Sequence, residues 1–588
     1  MKENIEIGDA RIERLDDIPV LFEHIQRMSI QEIVDRVIIP HGNWQGLSPG
    51  RIISLWLVHI LSAHNHRMEE VQDWVAKHLE TLKMLTGQEV SEPDFTDDRL
   101  ALCLRMLSIS EHWQKIEFIL GQHSLRAYRL EDIKQIRLDA STGSIYADPA
   151  KHTLFKLGKA KNGRYETQYK MMLASLDFLG LPLAVDVVPG NKADDPLYLP
   201  CYQRTKTILD EKGLLVIGDS KMSALKIRTT IASEGDFYLT PLAYRKDEPE
   251  LLENLLFPWV GREDEMEQIF LPKDFQEGGR VPDKESALAY GFEVARPRQG
   301  KIADQSFTWT ERLLVVRSTQ FAKSSLKLLH KRLEKAEKAL KSLTPARGRG
   351  KHQIKDEARL LVSIKSVEKK YRVQGFFKFV YQKELTKKKV RAHKDKPARI
   401  ERKVRFQLTV TRNQEAIERA EAKTGWRIYA TNAPVEKFPL AKTVLAYRNQ
   451  YIVENVFRRL QGKILSITPV YVQRDDHAEG LFHLLTIASR VLALGDYLAK
   501  VTLAKEKSEL AGIYAGNPKR SSSTPTTERM LKAFDNINLL IISVNGQFLH
   551  QVTPLTKVQE RILELWNLPA DLYSQFASQF IRERCVLS

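Results

Sequence analysis

The spacing of apolar residues changes character several times along the chain. Up to about residue 130 it follows a helical period. Ile52, Ile53, Leu55, Leu57 and Ile60 follow Pro49-Gly50, and Leu100, Leu104 and Leu107 share one face of the segment Asp97–Leu107. From residue 135 short apolar runs take over. Gln135–Asp139 and Leu214–Asp219 predict strands that end in carboxylates, and Met171–Val188 predicts a hairpin turning at Phe178–Pro182. A helix at about 224–233 and a strand at 237–242 complete the signature of an α/β layered core.

From about 255 to 435 the pattern is interrupted. Strand-like runs occur at Ala287–Ala295, Leu313–Val316 and Phe406–Val410. Between the last two, Leu326, Leu329, Leu333, Ala336, Leu340 and Leu343 alternate spacings of three and four, a heptad stripe. Pro345 and Gly348-Arg349-Gly350 break it, and a second helix with Ile354, Leu361, Ile364 and Val367 follows. An antiparallel helical hairpin projecting from a β-rich insertion is expected. Helical character returns at about 441. Asn517–Thr527 reads as a linker, and a strand pair (Leu539–Val544 and Phe548–Val552) with a helix from Thr556 closes the pattern.

Composition narrows the class. With 588 residues and 43% hydrophobic positions, several cores are affordable and global disorder is excluded. No apolar run approaches the ~20 residues that span a bilayer, and Met1–Glu6 lacks a signal-peptide pattern. A cytosolic protein without membrane association is expected. Cys103, Cys201 and Cys585 are too scattered for a disulfide framework or a thiolate metal site. The net charge of +17 points to a polyanionic partner. The excess is uneven: Lys378–Arg405 holds twelve Lys/Arg against three Asp/Glu, densest at Lys387, Lys388, Lys389 and Arg391. A solvated loop and a contact with DNA phosphates are both open for this run; its self-repulsion favours the second.

Asp139 and Asp219 at strand ends can converge on one rim of a sheet, although each alone could equally cap a turn. A third carboxylate, Glu454, lies in a segment where Tyr447, Gln450, Glu454, Arg458 and Gln461 fall on one helical stripe. Three oxygen donors of this kind suit Mg²⁺ or Mn²⁺ and, through them, phosphodiester chemistry.

The stretch from Tyr447 to Gln461 resembles the Tyr-x2-Arg-x3-Glu-x6-Lys signature of the DDE transposases of the IS-four superfamily. Other segments fit that resemblance: Leu-Asp-Ala-Ser-Thr-Gly around Asp139, Ile-Gly-Asp-Ser-Lys-Met-Ser around Asp219, Gly158–Gln168, Val188–Asn191, Arg14–Pro19 and Thr96–Leu100. Together they cover most of residues 5–500. The resemblance implies an RNase H-like (retroviral integrase-like) α/β core with a β-rich insertion and a helical N-terminal domain. The expected partition is a helical DNA-binding or assembly domain over 1–130, core parts over 131–254 and 436–515, an insertion over 255–435 with its helical hairpin at 320–372, and a small unit over 516–588.

By the same resemblance the protein is an insertion-sequence transposase of a bacterium or archaeon, acting at the nucleoid. It would cleave double-stranded DNA at terminal inverted repeats and transfer the 3′ hydroxyl into target DNA. Asp139, Asp219 and Glu454 would hold two Mg²⁺ ions, with Mn²⁺ able to substitute, and a homodimer would act on paired ends. Lys161, Arg164, Tyr447, Arg448, Gln450, Arg458, Gln461, Lys387, Lys388, Lys389 and Arg391 are the expected DNA contacts. Two positions depart from the signature, Gln450 for Arg and Gln461 for Lys, and Arg458 is the expected substitute cation. A domesticated DNA-binding protein and an RNase H-like nuclease without strand transfer stay open as alternatives.

Overall fold

The computed structural model describes residues 7–160, 163–242, 250–272, 286–346, 348, 352–390, 397, 399–544 and 547–577. The chain divides into two compact units: Met1–Thr240, Gln299–Trp309 and Ala446–Ser588 form the first, Pro241–Arg298 and Thr310–Leu445 the second.

In the first unit the strands are β1 (Ile7–Arg14), β2 (Gln135–Ser144), β3 (Lys156–Lys159), β4 (Tyr165–Leu176), β5 (Leu181–Pro189), β6 (Leu215–Gly218) and β7 (Phe237–Pro241). They pair in the order β3-β4-β2-β6-β7, with β5 also on β4. β2 is antiparallel to β4 and parallel to β6, and β6 is parallel to β7, so the sheet is mixed. β4 is buried without alternation from Gln168 to Leu176, which marks a strand covered on both faces. Helices supply that cover. Helix Ser110–Ala127 sends Glu117 to the β5 amide of Val185 at 2.7 Å, and helix Asp475–Glu506 sends Arg490 to the Leu183 carbonyl at 2.8 Å. Helix Tyr451–Gln461 lies along β2.

Asp475–Glu506 is also long and apolar enough to cross a membrane, which corrects the expectation that no such run exists. The reason it passes that test is that 83% of its apolar window is buried inside the chain, as in a central core helix.

In the second unit β8 (Glu267–Ile269) and the parts of β9 (Ala289–Ile302) and β10 (Gln305–Ser318) outside Gln299–Trp309 are joined by β11 (Phe377–Val390), β12 (Arg399–Arg412) and β13 (Trp426–Thr431). The order β13-β10-β9-β8 makes one part of it. β11 and β12 make a separate two-stranded ribbon, paired without a break from Phe377↔Arg412 to Val390↔Arg399. The base of the ribbon (Phe377, Phe406, Leu408 and Val410) shares a hydrophobic cluster with helices Thr319–Lys341 and Glu357–Tyr371, through Leu329, Leu333, Leu340, Leu360 and Ile364. The basic run, open between a solvated loop and a DNA contact, is not a loop at Lys378–Val390 and Arg399–Arg405, which belong to the two strands of this ribbon.

Back in the first unit, β14 (Leu510–Ala511) and β15 (Ser521–Ser522) form a short ladder within the segment read as a linker. β16 (Asn538–Val544) and β17 (Gln547–Val552) are the expected C-terminal pair, and the following helix starts with a capping box at Thr556. β1 pairs antiparallel with β16, making a three-stranded sheet from opposite regions of the sequence. Helical periodicity elsewhere in the first 130 residues concealed that strand.

Candidate active site

β2 organises the site. Leu138 is in register with Gly218, the last residue of parallel β6, so Asp139 and Asp219 each follow the last pair of a ladder whose strands run about 4.8 Å apart. Asp139 does not end its strand. Ser141–Ser144 continue it by pairing with Gln168–Met171 of β4, beyond the last parallel pair with β6. Both aspartates are half-buried. Asp219 caps the turn that follows β6, accepting from Lys221 N at 2.8 Å, and it also accepts from the Tyr198 hydroxyl at 2.6 Å. Burial, and Asp219 beside it, push that hydroxyl well above its ordinary pKa, so Tyr198 stays a donor. Nothing in the sequence pattern singled Tyr198 out.

Glu454 sits in the first turn of helix Tyr451–Gln461 and is exposed, as is Arg458 one turn later. The helix is clipped to β2 at both ends. Arg137 meets Gln450 Oε1 at 3.5 Å, and Gln461 Nε2 donates to Ser141 Oγ at 3.2 Å and the Thr142 carbonyl at 3.3 Å. Alternate residues 137, 139 and 141 share one face of the strand, so Asp139 lies opposite the stretch of helix that carries Glu454. Gln450 and Gln461 thus have partners within their own chain.

The single stripe expected from Tyr447 to Gln461 is not continuous. One helix, Leu440–Arg448, ends within it, and Tyr447 and the exposed Arg448 belong to that helix. Arg137 supplies the reason. Its Nη2 donates to the Ala446 carbonyl at 2.7 Å, the acceptor that Gln450 N would use in an unbroken helix, and Gln450 N bonds Tyr447 O instead at 3.0 Å. Asn449, a poor helix former, lies in that turn.

All the donors are carboxylates, a set that suits hard divalent cations, and two of them fit side by side on the sheet rim. Among the described residues no three His, Cys, Asp or Glu side chains gather closely enough to hold an ion, so Glu454 is not grouped with the aspartates in this conformation.

Two further motifs come together beside β2. Gln168 Nε2 donates to Gly190 O at 3.0 Å, joining Gly158–Gln168 to Val188–Asn191. A Cβ added to Gly158 would stand 2.0 Å from Gln168 Nε2, and one on Gly190 2.0 Å from the Gln168 carbonyl, so both positions require glycine's close approach. Lys159, Lys170 and Lys192 line the adjoining cleft of about 420 Å³, which reaches Ala140 and Thr142 of β2. Arg164, next in sequence to the lining residue Tyr165, is exposed, and Lys161 lies outside the described residues. On the ribbon Lys387 and Lys389 are exposed, Lys388 pairs in register with Glu401, and Arg391 also lies outside the described residues.

Residues 140–490 match the family described as the transposase DDE domain. The match is more than half of the chain; it takes in Asp219 and Glu454 and begins one residue after Asp139. Among curated proteins none matches. A cryo-electron microscopy structure of a piggyBac transposase synaptic complex with hairpin DNA is similar at 7% identity, over 82% of this chain and 88% of that one. Its TM-score of 0.23 is too low to argue from.

Proposed function

This chain belongs to the transposase DDE domain family, and from that premise we propose that it is an insertion-sequence transposase of the IS-four type with an RNase H-like core. It cuts double-stranded DNA at the terminal inverted repeats of its element and joins the freed 3′ hydroxyl to target DNA. The observation that carries this reading is the register of β2 against β6, with Asp139 and Asp219 side by side and the Glu454 helix clipped along the same strand. Asp139, Asp219 and Glu454 are the residues that would hold Mg²⁺ or Mn²⁺. When bound, such ions supply an activated water and stabilise the leaving 3′ oxygen.

The chain's own groups set the stage for that chemistry. Tyr198 fixes one oxygen of Asp219 and leaves the other for a ligand. Gln450 and Gln461 hold the helix against β2 beside the DNA they contact, and Arg458, exposed one turn from Glu454, takes the role of the phosphate-binding cation. Arg164, Tyr447, Arg448, Lys387, Lys388 and Lys389 contact phosphates of the end DNA, with Lys161 and Arg391 as further candidates from sequence. Two copies act on paired ends.

The direct test is cleavage of DNA carrying candidate element ends, with and without Mg²⁺, by the wild type and by Glu454→Gln. Cutting at the element boundary that requires both metal and Glu454 is expected. Binding without cutting, beside a control transposase that cuts its own ends, would replace this reading with a DNA-binding descendant of the family.

A further inference from the structure

Helix Tyr451–Gln461 has a second side. Away from β2 it walls an open cleft of about 750 Å³, completed by helix Asp475–Glu506, the Phe178–Gly180 turn and the segment 524–529. Four exposed cations line it: Arg458, Lys463, Lys500 and Arg529. Its two acids do not neutralise them. Asp496 and Glu528 are both taken by Arg459, at 2.6 and 2.8 Å. Among the described residues none of the four cations has an acidic partner. Lys500 instead lies over the Phe178 ring at 5.8 Å, and Arg529 over Tyr514 at 4.5 Å. Two aromatic rings also face solvent at the cleft, Tyr451 at 55% and Phe178 at 48% exposure.

Uncompensated cations with exposed aromatic faces in one concavity are the chemistry that binds unpaired nucleic acid, whose phosphates seek charge and whose bases seek a stacking surface. A cleft of this volume is the size of a small-ligand pocket, enough for a nucleotide or two rather than a duplex. We propose that it binds a short single-stranded segment, with phosphates on Arg458, Lys463, Lys500 and Arg529 and a base against Tyr451. The inference rests on the transposase reading, because Glu454 and Arg458 are neighbours on one helix. A strand opened at the carboxylates passes over Arg458 into the cleft.

The test uses the full chain carrying Glu454→Gln, which prevents turnover, and fluorescent oligothymidine beside a blunt duplex. Lys500→Glu with Arg529→Glu should weaken oligothymidine binding at least tenfold and flatten its salt dependence by about 1.4 in log–log slope, two phosphates' worth. Duplex affinity should stay within twofold. Tyr451→Ala should weaken oligothymidine binding severalfold while Tyr451→Phe, which keeps the ring, restores it. All of these side chains are exposed, so the fold is not at stake. Unchanged oligothymidine binding, or an equal loss on duplex, overturns the proposal. So does polyglutamate competing as well as oligothymidine, which would assign the cleft to an acidic peptide. The transposase reading is judged separately, by metal-dependent end cleavage with the wild type; its failure leaves the oligonucleotide comparison readable.

Discussion

Arg137 is fully buried, and its guanidinium holds both oxygens of Asp177 at 2.6 and 3.1 Å while donating to Ala446. Removing one partner of such a pair strands the other charge. Arg137→Met should therefore lower the free energy of unfolding by about 3–5 kcal/mol, read from urea titration. It should also reduce cleavage, because the turn that sets Glu454 loses its clamp. Tyr198→Phe removes the donor to Asp219 without changing shape. A rise of about 10-fold or more in the Mg²⁺ needed for half-maximal cleavage is expected, as for lost partners of metal ligands elsewhere; an unchanged Mg²⁺ requirement would show that Tyr198 does not position the carboxylate. Asp139, Asp219 and Glu454 are proposed from sequence because each stands in a recognisable segment. Arg137 and Tyr198 could not be. Asp177 is 40 residues from Arg137 and Asp219 is 21 from Tyr198, so only the folded sheet brings each pair together.

At the level of elements, most of the core strands and helices were legible from apolar spacing, and the failures have local causes. The Tyr447–Gln461 stripe looked continuous because periodicity registers side chains and is blind to a carbonyl taken by Arg137. The ribbon was half visible. Phe377, Phe379 and Tyr381 fall at every second position, but Val380 between them and the lysines after Lys383, poor strand formers, mask the alternation. Its role is testable apart from its stability. Lys387→Glu with Lys389→Glu, both exposed, should leave the melting temperature within about a degree while weakening duplex binding. The salt slope should flatten by about 1.8, two phosphates on duplex DNA. A protein that melts earlier but binds equally well would make those lysines structural.

Across the whole molecule, burial sets a pH dependence. It depresses His24 and His59 to about 4 and His483 to about 3, and raises Asp17 and Glu479 to about 7, with nearby acids adding to the last. The histidines stay neutral in the fold and charge on unfolding, so their stabilising contribution is lost as pH falls from about 6.5 toward 4. The two acids run the other way: their contribution is full near pH 4 and is lost as pH rises through 7. Burial also depresses His64, His66, His78 and His477 and raises Glu117, Glu267 and Asp496, so the depressed histidines outnumber the raised acids and stability falls as pH drops from 6 to 5. Calorimetry at pH 7, 6 and 5 should show a falling melting temperature; a rise on acidification would mean the acids dominate. This behaviour was invisible in composition, since which histidines are buried depends on packing.

The pairing of β1 with β16 also orders events in time. Asp16 accepts from the amide of Asn536, 520 residues further along. At ribosomal speeds of roughly 5–20 residues per second, the first strand waits on the order of 30–100 s for its partner to be synthesised. Throughout that interval β1 lacks its strand partner and presents an open edge to any other nascent chain. A message truncated before codon 538 would yield protein that never closes that edge, and quality-control proteases should clear such fragments faster than the finished chain.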